Sequence, residues 1–283
     1  LSNLSDGRMR HAKSGQWWET APQMALANNS VCYTDKPDGE TFLREWTSLV
    51  ESKSGERGIF NRISAKEQAK KYGRRDPDHE FGTNPCSEII LRPYQFCNLT
   101  EVVIREKDRF DNLKKKVMLA TILGTVQSTL TKFPYLRKVW NKNTEEERLL
   151  GVSLTGIMDN ELTNGRKHGL EKTLTALREV AVETNREWSE ILRIPQSTAI
   201  TCVKPSGTVS QLVDSSSGIH PRHSSYYIRT VRGDNKDPLT QFLIDSGIPA
   251  EADFMKPDTQ TVFSFPMKSP KKSVKRDDMT AIQ

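Results

Sequence analysis

A late change of period constrains this chain most. Residues 111–133 and 170–192 carry apolar side chains at helical spacing, whereas residues 197–203, STAITCV, are β-branched and read as a buried strand. Lys204-Pro205-Ser206-Gly207-Thr208 then forms a turn. Long amphipathic helices feeding a short strand and a tight turn predict an α/β fold. In the first helix Leu113, Val117, Ala120, Ile122, Leu123, Val126 and Leu130 populate one side, Asp111 is placed to cap it and Pro134 stops it. Thr144 with Glu147 predicts a capping box opening a further helix. In the third, Leu174, Leu177, Val180, Ala181, Trp188 and Ile191 are expected inside.

Shorter elements surround these. Residues 39–52 predict a helix carrying Phe42, Leu43, Trp46 and Leu49, and residues 64–72 another, ended by Gly73. Residues 52–58 read as a polar loop. The stretch 76–93 is dense in Pro, Gly, Asn and Asp, so it reads as a loop containing the apolar segment Ile89-Ile90-Leu91. Strands are expected near 101–104, 226–231 and 262–265, and Asp237-Pro238 opens a helix that Gly247 stops. The Trp17-Trp18 pair reads as core.

The composition narrows the function classes. A chain of 283 residues, 35% of them hydrophobic, has enough apolar material for a sizeable core, which excludes disorder. No apolar run approaches the roughly 18–20 residues of a membrane span, so no membrane role is expected. Four cysteines without CxxC or Cys/His clustering make neither a disulfide framework nor a metal site, and a cytoplasmic, reducing location fits best. The formal charge is +6, from 42 Lys+Arg against 36 Asp+Glu, densest at Lys268, Lys271, Lys272, Lys275 and Arg276. No aromatic residues interleave with that run, so it reads as a solvated loop rather than a nucleic-acid surface.

Three features could carry chemistry. In Asn84-Pro85-Cys86-Ser87-Glu88 a cysteine stands between an amide and a carboxylate at two-residue spacing. In an extended loop all three would point to one side, offering a thiol flanked by a hydrogen-bonding amide and a general base. Composition alone leaves this open, because a lone buried cysteine is usually packing. Cys97 follows eleven residues after Cys86, close enough for a turn to bring the two face to face. The third is Lys204-Pro205-Ser206-Gly207-Thr208-Val209-Ser210, where a strand runs into a Ser/Gly/Thr turn and a possible helix start. Such a turn presents N–H groups and hydroxyls to an anion, although the Gly-Lys-Ser/Thr ending of a Walker loop is missing.

Taken together, these residues resemble the catalytic subunit of the ribonucleotide reductases. Asn84-Pro85-Cys86-Ser87-Glu88-Ile89 resembles the family's finger-loop motif, and Cys97 the second cysteine of its active site. Gly151-Val152-Ser153-Leu154-Thr155-Gly156-Ile157-Met158-Asp159 resembles a helical segment that follows. Lys204 to Ser210 resembles the phosphate-binding loop, and Ser216-Ser217-Gly218-Ile219-His220-Pro221 the segment after it. The wording HEFGTNPCSEIILRPYQFCNL and TCVKPSGTVSQL is most similar to the class II branch, which is adenosylcobalamin-dependent and reduces ribonucleoside triphosphates.

That resemblance implies part of a ten-stranded α/β barrel with the catalytic cysteine on a central finger loop. Residues 1–283 would form a single partial catalytic barrel domain, cut at both ends from a longer protein. Cys86 would form a thiyl radical, Glu88 would accept the 3′-hydroxyl proton, Asn84 would hold the 2′-hydroxyl, and Cys97 would supply one thiol of the reducing pair. Pro205, Ser206, Gly207, Thr208 and Ser210 would surround the substrate phosphates. The implied cofactor is adenosylcobalamin, the reductant thioredoxin or a similar dithiol, and the parent a monomer. Cys32, Cys202 and His220 are expected to be structural. The partner of Cys97 should lie upstream and the shuttle cysteines downstream, so this section alone should not turn over. Rivals are a class I large subunit, served by a separate metal-containing subunit, and a basic nucleic-acid-binding module.

Overall fold

The computed structural model describes residues 1–53, 55, 57–280 and 282. Ser54 and Glu56, within the expected 52–58 loop, lie outside the described residues. Contacts divide the chain into two compact units: Leu1–Val102, Phe110–Thr155 and Glu171–Ser206 make one, and Val103–Arg109, Gly156–Leu170 and Gly207–Gln283 the other.

The first unit opens with the short helices α1 (Gly7–Arg10) and α2 (Trp17–Thr20). The expected Trp17-Trp18 core is not formed: Trp18 is exposed, edge-on to a half-buried Trp17, because the helix carrying the pair is a single turn that buries no residue. Strand β1 (Ser30–Tyr33) pairs in parallel with β2 (Gly58–Asn61), and α3 (Gly39–Ser52) connects them, its Asp38 cap accepting from the Thr41 amide. That helix forms where its periodicity placed it, but Phe42, Leu43 and Trp46 stay exposed. What it buries instead is Glu45, whose carboxylate takes Arg57 Nε at 2.6 Å and Arg10 Nε at 3.0 Å. A buried carboxylate is tolerated because two guanidinium groups satisfy it. Helix α4 (Arg62–Tyr72) ends at Gly73, whose φ of 65° is open to glycine at little cost. With β1 and β2 it encloses Cys32, Phe60, Ala65 and Phe81, so Cys32 packs as a small hydrophobe.

A two-residue antiparallel pair, β3 (Gly82–Thr83) and β4 (Ile90–Leu91), interrupts the loop expected over 76–93. Strand β5 (Asn98–Val103) follows, then α5 (Phe110–Gln127), which stops short of the expected 133 and holds Asp111 in its first turn rather than at its cap. Its buried side is Leu113, Val117, Thr121, Gly124 and Thr125, while Leu123 and Leu130 face out. Small residues decide that face. A Cβ at Gly124 would touch Leu150 at 3.5 Å, and the Thr121 and Thr125 hydroxyls donate back to the carbonyls of Val117 and Thr121. Helix α6 (Lys138–Glu147) places Thr144 and Glu147 in its last turn, so the expected capping box is absent. Glu147 is drawn into a buried ion pair instead, and Arg148 ends the helix in the left-handed region.

Strand β6 (Leu150–Thr155) pairs with β5. Residues 151–159, expected helical from the resemblance, are therefore strand and then a 3₁₀ turn at Ile157–Asp159. Gly151 needs that arrangement: a Cβ there would lie 2.5 Å from Leu99 Cδ2, 2.9 Å from Ile89 Cδ1 and 3.1 Å from Cys202 Sγ. Helix α7 (Leu170–Leu192) spans the range its periodicity predicts, with Leu177 and Ala181 buried but Ile191 exposed. Thr184, Asn185 and Ser189 complete its buried seam, where Asn185 donates to Thr125 Oγ1 at 2.9 Å and accepts from the Ser197 amide. Residues 197–203 run beside β6 through a parallel bridge, Val152 with Thr201, and bonds from Leu150 and Val152 to the carbonyls of Ala199 and Ile200. Pairing on that edge is sparse, so the segment is less a strand than STAITCV predicts, and Val203 is exposed.

In the second unit α8 is the single turn Val209–Leu212. Strands β7 (Tyr226–Asp234), β8 (Ala250–Ala252) and β9 (Gln260–Lys268) form an antiparallel sheet in the order β7-β9-β8. Helix α9 (Pro238–Asp245) starts at Pro238 behind its Asp237 cap. The Asp159 carboxylate takes Arg222 through Nε and Nη2, both at 2.9 Å, and the Ser216 amide at 2.8 Å, which fixes residues 214–222. The basic run is partly paired rather than wholly solvated: Lys272 Nζ lies 3.4 Å from Glu161, and the Lys272 amide donates to Glu106.

Gly156 has a φ of 79°, and a Cβ there would lie 2.4 Å from the carbonyl oxygen of Ile104. Gly156→Ala is predicted to cost about 2–4 kcal/mol in chemical denaturation. Gly15→Ala, with a φ of 65° and open space, should cost only about 1 kcal/mol. Equal costs would contradict the packing assigned to Gly156.

Candidate active site

Cys86 sits at the tip of a hairpin. Registers Gly82 with Leu91 and Thr83 with Ile90 bring the two ends of residues 84–89 together. The Asn84 amide donates to the Ile89 carbonyl at 3.2 Å, and the Ile89 amide returns to Asn84 Oδ1 at 3.0 Å. Ser87 donates to the Asn84 carbonyl and has a φ of 63°. Residues 84–87 are thus a tight turn, not the extended run that would alternate side chains. Asn84, Cys86 and Glu88 do not share a side by period two, because Ser87 reverses the chain between the cysteine and the carboxylate. Cys86 is exposed, and the Asn28 amide group holds the tip through the Pro85 carbonyl.

The reversal turns Glu88 inward. Its side chain is only 3% exposed, and Oε1 takes Lys204 Nζ at 2.8 Å. Glu88 Oε2 is buried without a hydrogen bond among the described residues. Burial pushes this carboxyl up, but the Lys204 bond and the nearby Asn84 side chain outweigh it and hold it below the ordinary range. Lys204 shows the mirror effect, raised on balance by the carboxylate despite its own burial. Its backbone is fixed too, since the Lys204 amide donates to Ser153 Oγ on β6 at 3.1 Å. The sequence put Lys204 at the head of the candidate phosphate loop but gave no sign of its bond to Glu88: 116 positions separate the two, and no spacing rule reaches so far.

Cys97 is placed by a different network. Arg75 grips Glu147 with Nε at 2.9 Å and Nη2 at 2.7 Å, and donates to the Ile90 carbonyl at 2.8 Å. Gln95 bridges the same carboxylate at 2.5 Å and the Asn143 carbonyl at 3.1 Å, while accepting the Arg92 amide. The segment from β4 to Cys97 is thereby clamped to the end of α6. Cys97 is half-buried, and burial with the Glu88 charge raises its thiol pKa. Cys202, expected to be structural, lies on the same side of the sheet as Leu99 and the vacant Cβ position of Gly151. Burial pushes its thiol up to about 12, against Lys204, with Glu88 and Cys97 adding in the same direction.

The candidate phosphate loop divides between the units. Pro205 and Ser206 belong to the first, where Ser206 is buried with a φ of 52°. Gly207, Thr208 and Ser210 belong to the second, where Ser210 is fully buried and its carbonyl accepts from the Ser215 amide. A helix does start at Val209, as the turn predicts, but it is four residues long and Thr208 makes no side-chain cap bond. His220 turns its ring to the Ser217 carbonyl at 3.1 Å within that unit's loop.

No protein-family model matches the chain. Curated proteins do. It is 31% identical over 276 residues to an adenosylcobalamin-dependent ribonucleoside-triphosphate reductase of Lactobacillus gasseri, covering 86% of this chain and 35% of the relative. A protein of the same name in Euglena gracilis is 30% identical over 187 residues, 66% of this chain and 25% of its own length. The fold also superposes on a B12-dependent class II ribonucleotide reductase structure, with TM-score 0.66 at 27% identity, over 88% of this chain and 38% of that one. The chain is homologous to the adenosylcobalamin-dependent ribonucleotide reductases. It spans about a quarter to a third of the length of these curated relatives. Its helices and strands are a part of the reductase α/β barrel, and a class Id reductase α subunit of Actinobacillus ureae shares the fold at TM-score 0.53 and 15% identity.

Two predictions follow from this reductase-like site. Glu147→Gln leaves the buried Arg75 guanidinium without its counter-charge and should destabilise by about 3–5 kcal/mol in denaturant titration; a change under about 1 kcal/mol would contradict the clamp. Thiol alkylation followed by mass spectrometry at pH 8 should label Cys86 first and Cys97 and Cys202 far more slowly, because raised pKa values leave little thiolate. Labelling of Cys202 as fast as Cys86 would contradict the burial described.

Proposed function

We propose that the chain is the central section of a catalytic subunit that reduces ribonucleoside triphosphates to 2′-deoxyribonucleotides. The observation that carries this reading is the pairing of an exposed tip thiol, Cys86, with a buried carboxylate whose Oε1 is held by Lys204 and whose Oε2 is left to accept a proton. The homologues' names supply the reaction and the cofactor. Residues 1–283 are read as one partial catalytic barrel domain of a longer, monomeric, cytoplasmic protein.

The chemistry divides among the chain's own groups. A 2′-hydroxyl leaves poorly from a ribose, and radical character at C3′ makes its departure feasible. In its thiyl form, Cys86 takes the 3′-hydrogen atom, forming S–H and leaving a carbon radical. Glu88 Oε2 takes the 3′-hydroxyl proton, Asn84 holds the 2′-hydroxyl, and that oxygen leaves as water with a proton from the thiol pair that Cys97 forms with a partner upstream. That pair delivers two electrons and its second proton to C2′ and closes to a disulfide, Glu88 returns its proton to the 3′-oxygen, and Cys86 returns the hydrogen atom to C3′. Thioredoxin or a similar dithiol then reopens the disulfide. Pro205, Ser206, Gly207, Thr208 and Ser210 are assigned to the substrate phosphates. The exposed tip at Pro85, Cys86 and Ser87 fits a radical source that must reach sulfur from outside the chain. Adenosylcobalamin, when bound, supplies the radical that oxidises this thiol.

The class I reading has weaker support, since the similarity to a class I subunit lies in the fold alone. The test is CTP reduction to dCTP by the full-length protein with a dithiol, with and without adenosylcobalamin, for wild type and Cys86→Ala. Turnover should require both the cofactor and Cys86, whereas residues 1–283 alone should show none. Turnover by Cys86→Ala, or cofactor-free turnover with an added metal subunit, would contradict the assignment.

A further inference from the structure

We propose that Lys204 is a positioning residue that keeps Glu88 ionised and directs its free oxygen toward the substrate; the inference deepens the reductase reading and rests on it. The ion pair is one-sided. Lys204 Nζ takes Oε1 at 2.8 Å, and Oε2, although buried, has no hydrogen bond among the described residues. An acceptor left without a donor in a buried position costs free energy unless a ligand completes it. A ribose hydroxyl is the donor that the proposed reaction brings.

Lys204 can do this because it is itself built in. Its amide is tied to Ser153 Oγ on β6, and Pro205 follows directly, so its main chain is fixed at the point where the side chain departs. The side chain then reaches across to the hairpin, joining two segments far apart in sequence. Its ammonium is mostly covered, at 21% exposure, so solvent screens the pair weakly.

The charges facing Glu88 give the sign of its response. Among the described residues Lys204 is the cation bonded to it, and Cys97 and Cys202 face it as thiols that remain neutral at ordinary pH because burial raises both. Cys86 lies close enough to Lys204 to interact with it. Arg74, Arg75 and Arg178 line the same 190 Å³ cavity as Glu88, with Arg75 already paired to Glu147. Without Lys204, burial is opposed only by Asn84 and weaker influences, so the carboxyl holds its proton to higher pH. A protonated Glu88 cannot accept the hydroxyl proton. The acidic limb of the rate profile must therefore move to higher pH when Lys204 loses its charge.

The experiment uses the full-length protein as wild type, Lys204→Met, Lys204→Arg and Glu88→Gln. Two readouts are taken: kcat and KM for CTP from pH 5.5 to 9, and an infrared titration of the Glu88 carboxyl, identified by its loss in Glu88→Gln. Lys204→Met should lose about tenfold more kcat/KM at pH 6 than at pH 8.5, the scale set by one close opposite charge. Its carboxyl should titrate at higher pH, and Lys204→Arg should restore both readouts toward wild type. A raised KM with the limb in place would give Lys204 to substrate phosphate and overturn the proposal, as would an unmoved carboxyl titration. If Lys204→Met does not fold, the same comparison is made with Lys204→Gln against Lys204→Arg, where identical profiles overturn it. Absence of wild-type turnover would sink the reductase reading alone, because the carboxyl titration still decides whether Lys204 holds Glu88 ionised.

Discussion

The buried ion pair of Arg75 with Glu147 is the constraint on which the rest of the site depends. Arg75 follows the glycine that ends α4, and Glu147 is the last residue of α6, so one contact joins elements 72 positions apart. Gln95 shares the same carboxylate, and the Arg75 fork also holds the Ile90 carbonyl. The hairpin that carries Cys86 and the segment that leads to Cys97 are therefore both referenced to one guanidinium. Burying such a pair is not favourable in itself, since desolvation offsets most of the attraction. Its value is placement: with both oxygens of Glu147 engaged, the loop from 90 to 97 has little freedom left.

The same logic recurs with different partners. Glu45 is held by Arg10 and Arg57, Asp159 by Arg222, and Glu88 by Lys204. In the first two, guanidinium groups cover the carboxylate, and hydrogen bonds take both of its oxygens. Glu88 differs in having a lysine, a single point contact, and an oxygen left over. The choice of lysine is thus consistent with a carboxylate that must stay ionised and still accept.

Much of this was legible in the sequence, and the failures share a cause. Helices α3, α4, α7 and α9 lie where periodicity and caps put them, and the motif residues Asn84, Cys86, Glu88 and Cys97 all fall within the first unit. Faces were misjudged where small or polar residues pack: α5 buries Thr121, Gly124 and Thr125 instead of Leu123, because close approach to Leu150 matters more than hydropathy. Thr144 and Glu147 match a capping box locally, yet Glu147 answers to Arg75, a partner no local rule sees. The period-two argument for Asn84, Cys86 and Glu88 failed because Ser87 takes a positive φ that a serine does not advertise. Lys204 and Cys202 were invisible to spacing for the same reason that Glu147 was: pairing across a fold is not written in neighbouring residues.

The most direct test is a structure of the full-length protein with a ribonucleoside triphosphate bound. The account predicts the ribose 3′-hydroxyl about 2.6–3.2 Å from Glu88 Oε2, with Lys204 still on Oε1 and Cys86 facing the 3′-hydrogen. A ribose placed away from Glu88, or Lys204 withdrawn from the carboxylate to the phosphates, would contradict it.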